Sequence, residues 1–347
     1  MKCVHAIILF FLSLSGYGQR DSLETFSINP EFSLTSKKLV INPTPVTAFE
    51  IGNNYLCFAA DGKLSIYDLN HDRWKVQDLT AFTKKEIQHA NFGQKKTNGT
   101  EINFIKIDNK RDKVGFTLKW AMFKAIEINS LKTDAVLWQG SENYGLEYLK
   151  KQDGFIRFTK FYPDEESMDG ELDIYLRRDL DDKTHYYAKV GLYSVLLPKI
   201  SSLQVNANED ICAGISYNHN LILSDKAAPD VTEVFTNIYN NDTLKLTSIS
   251  FIGNDTLALL YNDGKMFIAR VKHIDFQTEI KFNKDQPALD SFVYNEARGI
   301  YIGSVDHSEI IIFKIINSGI VIISRTKLNR RFRDFKVSED GQWLSVL

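Results

Sequence analysis

Three consecutive residues, Asp306, His307 and Ser308, combine the side-chain types of a catalytic proton relay. In such a relay a serine hydroxyl attacks the substrate, a histidine takes its proton, and an aspartate orients the histidine. Neighbouring residues of an extended chain point to opposite faces, so these three side chains cannot lie in one line. The segment SVDHSE therefore predicts a polar turn between strands, and we expect no catalytic residue in it.

The linear motifs of the common enzyme classes are missing from the sequence. None of its 7 histidines and 3 cysteines has the HExxH or CxxC spacing that a zinc site needs. It also lacks a glycine-rich phosphate loop and the GxSxG turn of α/β hydrolases. We therefore predict no metal, no cofactor and no catalytic motif. An enzyme whose site is assembled from single residues of several repeats stays open as an alternative, because it needs no linear motif.

A basic stretch, RTKLNRRFRDFK, is the candidate interaction site. Its cations are Arg325, Lys327, Arg330, Arg331, Arg333 and Lys336. Guanidinium and ammonium groups at this density can bind an anionic partner, such as an acidic glycan, a lipid headgroup or an acidic protein surface. The alternative is a solvated connector between two strands. In either case Phe332 and Phe335 are expected to point inward and anchor the stretch.

The overall charge narrows the class of partner. The chain carries 42 basic and 44 acidic side chains. A nucleic-acid binder usually has a strong basic excess, so this near balance argues against nucleic acid as the partner. The partner is expected to be a protein or an anionic surface ligand that binds a local patch.

Two distant segments share one pattern, and this pattern indicates the elements that would position any site. GNNYLCFAADGKLSIYDLN begins at Gly52, and GNDTLALLYNDGKMFIARVK begins at Gly253. In each, Asp-Gly separates two apolar runs, and glycine takes the positive φ that a tight hairpin turn requires. Asp-Gly also occurs at 153–154, 169–170 and 340–341. Each of these sites is predicted to lie next to strands of an antiparallel sheet.

Side-chain alternation predicts an all-β chain. In VGFTLKW, four apolar residues are predicted to share one face of a strand: Val114, Phe116, Leu118 and Trp120. All 7 prolines fall between the strand-like runs, where a missing amide donor costs least. Long helical periodicity is absent.

The spacing of these strands predicts a ring. Repeating units begin near residues 46, 100, 146, 200, 245 and 288, and units of about 40 to 50 residues with four strands are typical of propeller blades. The last unit, residues 328–347, has only two strand-like runs, while residues 25–42 offer two more. We therefore predict seven four-stranded blades, with the N-terminal strands completing the last blade.

The hairpin segments resemble those of the WD40-like or YVTN-like β-propeller superfamily. FKVSEDGQWLSVL looks like the first hairpin of such a blade, and AADGKLSIYDLN looks like the second. The Trp-Asp and Gly-His pairs of WD40 repeats are absent. The resemblance covers the mature chain and implies a rigid ring that carries variable loops. A pair of β-sandwiches, another solenoid, or a ring of six or eight blades are the alternatives.

The first residues predict export. Lys2 precedes an apolar run from Ala6 to Leu14, and small residues follow at Gly16 and Gly18. This order is typical of a cleaved secretory signal, and the run is too short to span a bilayer. We expect residues 1–18 to be a signal peptide and residues 19–347 to be a single propeller domain without a transmembrane segment. The expected location is the periplasm or the exterior of a bacterium.

Two cysteines remain in the predicted mature chain. Cys57 and Cys212 each lie inside an apolar strand-like run, which is typical of buried free thiols. We therefore predict no disulfide.

Together these observations favour an exported, monomeric, non-enzymatic β-propeller that binds a protein or another ligand through loops on one face. A hydrolase or lyase with its site at the mouth of the central channel is one alternative. A sensory or scaffold part of a larger envelope assembly is another, since the fold alone does not choose between these functions.

Overall fold

The strands of the protein are seen in a computed structural model. It describes residues 21–78, 101–118, 120–131, 137–160, 169–179, 185–196, 200–216, 219–225, 232–235, 244–280 and 288–347. These residues form strands β1 to β27 and contain no helix, which confirms the all-β prediction for the described part of the chain. No membrane-spanning helix is therefore found among them. The predicted signal peptide lies outside the described residues.

Four blades are formed by consecutive strands, each blade a four-stranded antiparallel sheet. Blade 1 contains β3 (Val46–Ile51), β4 (Tyr55–Ala60), β5 (Lys63–Asp68) and β6 (Arg73–Asp78). Blade 2 contains β14 (Ile200–Val205), β15 (Ile211–Ser216), β16 (Leu221–Asp225) and β17 (Thr232–Phe235). Blade 3 contains β18 (Leu246–Ile252), β19 (Thr256–Tyr261), β20 (Met266–Arg270) and β21 (His273–Ile280). Blade 4 contains β22 (Ser291–Asn295), β23 (Ile300–Val305), β24 (Glu309–Ile316) and β25 (Gly319–Lys327).

The fifth blade, here called the closing blade, joins the two ends of the chain. Its strands are β1 (Asp21–Ile28), β2 (Leu34–Asn42), β26 (Phe335–Val337) and β27 (Trp343–Val346). Their order in the sheet is β2-β1-β27-β26, with Glu24 opposite Val346 and Ser27 opposite Trp343. The prediction that N-terminal strands complete the last blade is confirmed.

The remaining sheet has seven strands and is called the long sheet. Its strands are β7 (Ile102–Asp108), β8 (Lys113–Leu118), β9 (Trp120–Glu127), β10 (Leu137–Leu149), β11 (Gly154–Lys160), β12 (Asp169–Asp179) and β13 (His185–Leu196). They pair in sequence order, and the sheet lies between blade 1, through β7, and blade 2, through β10.

The prediction of seven four-stranded blades is wrong, because the structure has five such blades and the long sheet. The units predicted to begin near residues 100 and 146 are the two that share this sheet. The cause is β10, which passes the predicted boundary without a turn. Leu137 and Trp138 pair with β9, the segment from Glu142 to Leu149 pairs with β11, and Glu142 pairs with both.

The apolar cores lie between neighbouring sheets. Blade 1 packs on the long sheet through Cys57, Ile105 and Phe116, all of which are buried. Similar clusters join blade 2 to blade 3, blade 3 to blade 4, blade 4 to the closing blade, and the closing blade to blade 1. Each blade is therefore stabilised by both of its neighbours, and one open junction would expose two apolar faces.

The strand VGFTL shows how this packing modifies simple alternation. Val114, Phe116 and Leu118 do share a core cluster, as predicted. However, every residue of β8 is buried, because blade 1 covers one face of the strand and Phe155 of β11 lies against Gly115 on the other. Trp120 belongs to the next strand, β9, so its predicted place beside Val114 is wrong.

The repeated Asp-Gly pairs mostly occupy turns, as predicted. Asp61 and Gly62 have φ values of 50° and 68°, which a tight hairpin turn requires. Gly264 and Gly341 also have positive φ. The two similar segments are thus the second and third strands of blades 1 and 3. The pair at 169–170 differs, since both residues belong to β12.

The free thiols also follow the prediction. Cys57 and Cys212 form no disulfide, and burial raises the pKa of both thiols, to about 12 for Cys212.

Phe26 tests the contribution of ring closure to stability. It is 5% exposed and packs in the cluster between blade 4 and the closing blade. Phe26→Ala is expected to lower the free energy of unfolding by about 3–5 kcal/mol, because it leaves a cavity in that junction. Urea denaturation followed by tryptophan fluorescence measures this change. Ser27→Ala, one position along the same strand, is the control, and an equal loss in both variants would contradict the packing explanation.

Candidate functional site

A central cavity of about 690 Å³ is the candidate site. Its walls are built by the first strands of blades 1 to 4, by β26 of the closing blade, and by β7 and β10 of the long sheet. It is therefore the channel of the ring.

An ion cluster lies on one wall of this channel. The Lys106 ammonium on β7 lies 3.3 Å from Glu50 Oε2 on β3 and 3.0 Å from Glu147 Oε2 on β10. The backbone N–H groups of Ile51 and Tyr148 donate to the other oxygen of each carboxylate, at 3.2 and 3.1 Å. Three successive innermost strands thus hold one cation between two anions.

The ion cluster keeps Lys106 charged. Burial alone would lower the pKa of this lysine, but the carboxylates of Glu147 and Glu50 outweigh burial and raise its pKa above the ordinary 10.5. A lysine that stays protonated at neutral pH cannot act as a general base. The chemistry available to this cluster is hydrogen bonding and charge compensation.

The channel wall formed by the first strands of blades 2 to 4 is polar and uncharged, and the charged side chains of Glu209 and Glu296 lie in the turns after these strands. Its polar side chains are Ser202, Gln204, Ser248, Ser250 and Ser291. Ser248 donates to the Phe292 carbonyl at 3.2 Å, and Ser250 accepts from the Tyr294 N–H at 3.2 Å. The channel therefore has one ionic wall and one hydroxyl-rich and amide-bearing wall.

Hydrogen bonds between sheets surround the mouth where the first strands end. Glu339 of the closing blade accepts from Asn109 at 2.9 Å and pairs with Lys150 at 2.9 Å, both in the long sheet. Asn109 Oδ1 accepts in turn from the Asn53 N–H at 2.7 Å. These turns hold one another in place, so the mouth is rigidly framed.

Similar hydrogen bonds between turns join the long sheet to blade 2. Glu209 accepts from the backbone N–H groups of Lys151 and Gln152, at 2.6 and 2.8 Å. Further around the ring, Asn206 donates to the Asn254 carbonyl at 2.8 Å. The short turns on this side of the ring thus bind their neighbours.

Gly52 sits where this framework is tightest. A Cβ atom at this position would lie 2.4 Å from Asn109 Oδ1, so a side chain would displace the amide that bonds Asn53 and Glu339. The glycine of the repeated Gly-Asn pattern is therefore required here, because the Asn109 side chain approaches the backbone too closely to leave room for a Cβ atom.

The predicted basic stretch does not form one continuous patch. Arg330 is partly buried and donates to the Ser22 carbonyl at 2.7 Å, to the Ser22 hydroxyl and to the Val346 carbonyl at 3.4 Å. Arg333 pairs with Asp21 at 3.0 Å and donates to the Val46 carbonyl. These two arginines fasten the N-terminal strand to the C-terminal part of the chain.

The other four cations point in different directions. Arg325 makes a two-pronged pair with Glu309, with Nη2 to Oε2 at 2.9 Å, and Lys327 ends the same strand. Lys336 lines the channel and pairs with Asp334 at 3.4 Å. Arg331 is exposed, and no described residue pairs with it. Anion binding by the stretch stays a prediction, and Lys327 and Arg331 are its exposed cations that form no salt bridge with a described residue.

The other predicted features of the stretch and of the turn before it are confirmed. Phe332 and Phe335 are buried in the cluster between blade 4 and the closing blade. Asp306 and His307 have φ values of 49° and 50° in a tight turn, and the His307 carbonyl accepts from the Phe332 N–H at 2.7 Å. The turn supports the basic stretch, and its side chains do not form a relay.

Sequence reasoning missed the ion cluster. Its signal is a charged residue inside each of the largely apolar runs AFEI, NFIKI and LEYL, one or two positions before β3, β7 or β10 ends. Each charge alone is consistent with an exposed position on a half-buried strand. Their convergence becomes visible only when the ring order brings β3, β7 and β10 side by side.

Comparison with known proteins identifies the fold only. No protein-family model and no curated protein matches the sequence. Among solved structures, 1567 chains match. One belongs to the crystal structure of a mitotic checkpoint complex, with 10% identity and a TM-score of 0.60 over 87% of this chain and 83% of that chain. The chain thus has a WD40-like β-propeller fold, as the hairpin segments indicated.

Removing the cation of the ion cluster should destabilise the ring. Lys106→Met leaves Glu50 and Glu147 facing each other without compensation, which is expected to cost about 3–5 kcal/mol of unfolding free energy at pH 8. Because the folded pKa is raised, the contribution of Lys106 is complete below pH about 10.4 and is lost only as pH rises further. Denaturant unfolding at pH 8 and pH 9 should therefore show the same deficit.

The matched control is the triple variant with Lys106→Met, Glu50→Gln and Glu147→Gln. It removes all three charges together and should recover most of the lost stability. A triple variant as unstable as the single variant would show that the lysine acts through packing alone.

Arg330 and Arg331 provide an adjacent pair for testing the closing contacts. Arg330→Lys is expected to cost about 1.5–3 kcal/mol, because lysine cannot reproduce the forked contacts to Ser22 and Val346. Arg331→Lys should change stability by less than about 0.5 kcal/mol, as is usual for an exposed site. Thermal and urea unfolding measure both, and equal effects would refute a special role for Arg330.

Proposed function

We propose that this chain is an exported, non-enzymatic binding module that contacts a protein partner through the loops of one face. That face is the one where the innermost strands begin, and it is called the entry face. The observation that carries the proposal is the unequal length of the connections on the two faces.

The longest intervals between consecutive described strands separate strand ends that lie on the entry face. β6 ends at residue 78 and β7 begins at 102, β17 ends at 235 and β18 begins at 246, and β21 ends at 280 and β22 begins at 291. On the opposite face, the turn after each first strand is short, as in residues 52–54 and 253–255. Long loops on a rigid ring are the usual site of recognition.

The opposite face is occupied by contacts within the ring. Its turns bond to one another through Asn109, Glu209 and Asn206. A partner there would compete with these hydrogen bonds, whereas the exposed Arg331 on the entry face pairs with no described residue. This difference supports the entry face as the binding surface.

Charge on the entry face suggests the character of the partner. Lys327 is exposed at the end of β25, and Arg331 is exposed in the connection that follows. The solved structure with this fold comes from an assembly, the mitotic checkpoint complex, so the fold is compatible with protein association. We propose an acidic protein surface as the partner.

The channel supports binding over catalysis. Lys106 stays protonated, and its charge is shared by two carboxylates. Within the described ranges, no group of three His, Cys, Asp or Glu side chains could hold a metal ion. The clearest ionisable cluster is thus arranged for stability.

A charge-reversal experiment tests the entry face. The purified mature protein is used to capture partners from an envelope extract of its own organism, with mass spectrometry to identify them. Lys327→Glu combined with Arg331→Glu is expected to reduce capture of an acidic partner at least tenfold through like-charge repulsion. The same mass spectra should place the first residue of the exported protein near Gln19.

Lys37→Glu combined with Lys314→Glu is the matched control, with the same charge change on β2 and β24 away from the entry face. It should capture the partner normally. Equal loss in both pairs, or normal capture by the entry-face pair, would contradict the proposed surface. A first residue far from Gln19 would contradict the proposed export signal.

A further inference from the structure

We infer that the central channel binds a small, uncharged, hydroxyl-rich molecule, of which a mono- or disaccharide is the simplest example. This inference is independent of the partner proposed for the entry face. It rests on the size of the channel, the pairing of its charged side chains with one another, and the mixture of donors and acceptors on its walls.

The size of the channel suits a small molecule. Its volume of about 690 Å³ lies within the range of about 300–1,000 Å³ that is typical of ligand pockets. The framework of hydrogen bonds around Asn109 and Glu339 fixes its mouth. A preformed cavity requires little ordering when a ligand enters, which favours binding.

The inner charges of the channel are paired within the chain. Lys106 lies between two carboxylates, which leaves one negative charge in excess, and Lys336 pairs with Asp334. At the mouth Lys150 pairs with Glu339. An anionic ligand would be repelled by the excess charge, and a cationic ligand would have to share carboxylate oxygens that already bond Lys106 or a backbone N–H. An uncharged ligand avoids both costs.

The walls nevertheless present both donors and acceptors. The Lys106 ammonium has three N–H donors and two carboxylate partners, and each partner oxygen has further acceptor capacity. Across the channel, Ser250 accepts from a backbone N–H and keeps its own hydroxyl hydrogen for another acceptor. No described residue bonds the Gln204 side chain.

Hydroxyl groups match this mixture because each can donate one hydrogen bond and accept others. A polyhydroxylated ring could therefore satisfy the ionic wall and the serine and glutamine wall together. Tyr148 and Tyr294, which are partly exposed, also line the channel and provide aromatic surface for the C–H groups of such a ring. A hydrocarbon would leave these polar groups unsatisfied.

Saturation-transfer NMR on the full mature chain tests the inference directly. The uncharged probes are glucose, galactose, N-acetylglucosamine, maltose and trehalose, each at millimolar concentration. The charged probes, matched in size, are glucosamine and glucuronate. We expect at least one uncharged sugar to bind and to bind at least tenfold more tightly than its charged relatives.

Two variants locate the binding site. Gln204→Leu keeps side-chain bulk in the channel but removes the amide, and should weaken the bound sugar at least fivefold. Gln77→Leu makes the same change on β6, the outermost strand of blade 1, and should leave affinity unchanged. Ser202→Ala repeats the channel test with a smaller change, and circular dichroism verifies that each variant is folded.

The inference would be overturned if no uncharged probe bound. It would also be overturned if the charged probes bound as tightly, or if affinity were the same in Gln204→Leu, Ser202→Ala and the original protein. Selective loss in either folded channel variant, with Gln77→Leu unaffected, would support it.

Discussion

The pairing of β1 with β27 is the constraint on which the rest of the ring depends. Glu24 to Ser27 lie opposite Trp343 to Val346, so residues from the two ends of the described chain share one sheet. Without this pairing, two blade interfaces lose a wall, because the closing blade packs on both blade 4 and blade 1. Arg330 and Arg333 reinforce the junction by bonding groups on both sides of it. The sequence suggested that Arg330 and Arg333 bind an external anion, but in the structure these two arginines help to close the ring.

A second level of organisation lies in the channel, where the first strands bring polar side chains together. In the long sheet, β10 both extends the sheet and contributes Glu147 to the ion cluster. The cluster and the hydrogen-bonded mouth make the channel stiff, while the long connections leave from the opposite end. The hydrogen-bonded turns and the longest intervals between strands thus lie at different ends of one ring.

Much of the fold was predictable because its signals are local. Asp61 and Gly62 sit in a hairpin whose turn chemistry depends only on nearby residues, and the unmatched strands at both ends implied closure. Blade number was not predictable, since the run of β10 through residue 142 depends on pairing with two other strands. The channel cluster was missed for a similar reason: Glu50 and Lys106 meet only after distant strands have been arranged in space. Arg330 shows why an exposed surface patch is hard to predict from sequence: its neighbours in the chain are equally consistent with an exposed and with a buried side chain.

The closure of the ring also has a consequence for the order of events during synthesis. Ser345 donates to the Glu24 carbonyl across 321 positions of sequence, so β1 must wait for β27 to be made. Until then the β1–β2 hairpin has an open edge, and the adjoining blades expose apolar faces. Contacts of such long range form slowly because a large loop must close first. The growing chain is therefore most vulnerable to association with other chains just before β27 emerges, and a chaperone that shields the early hairpin would act during that interval.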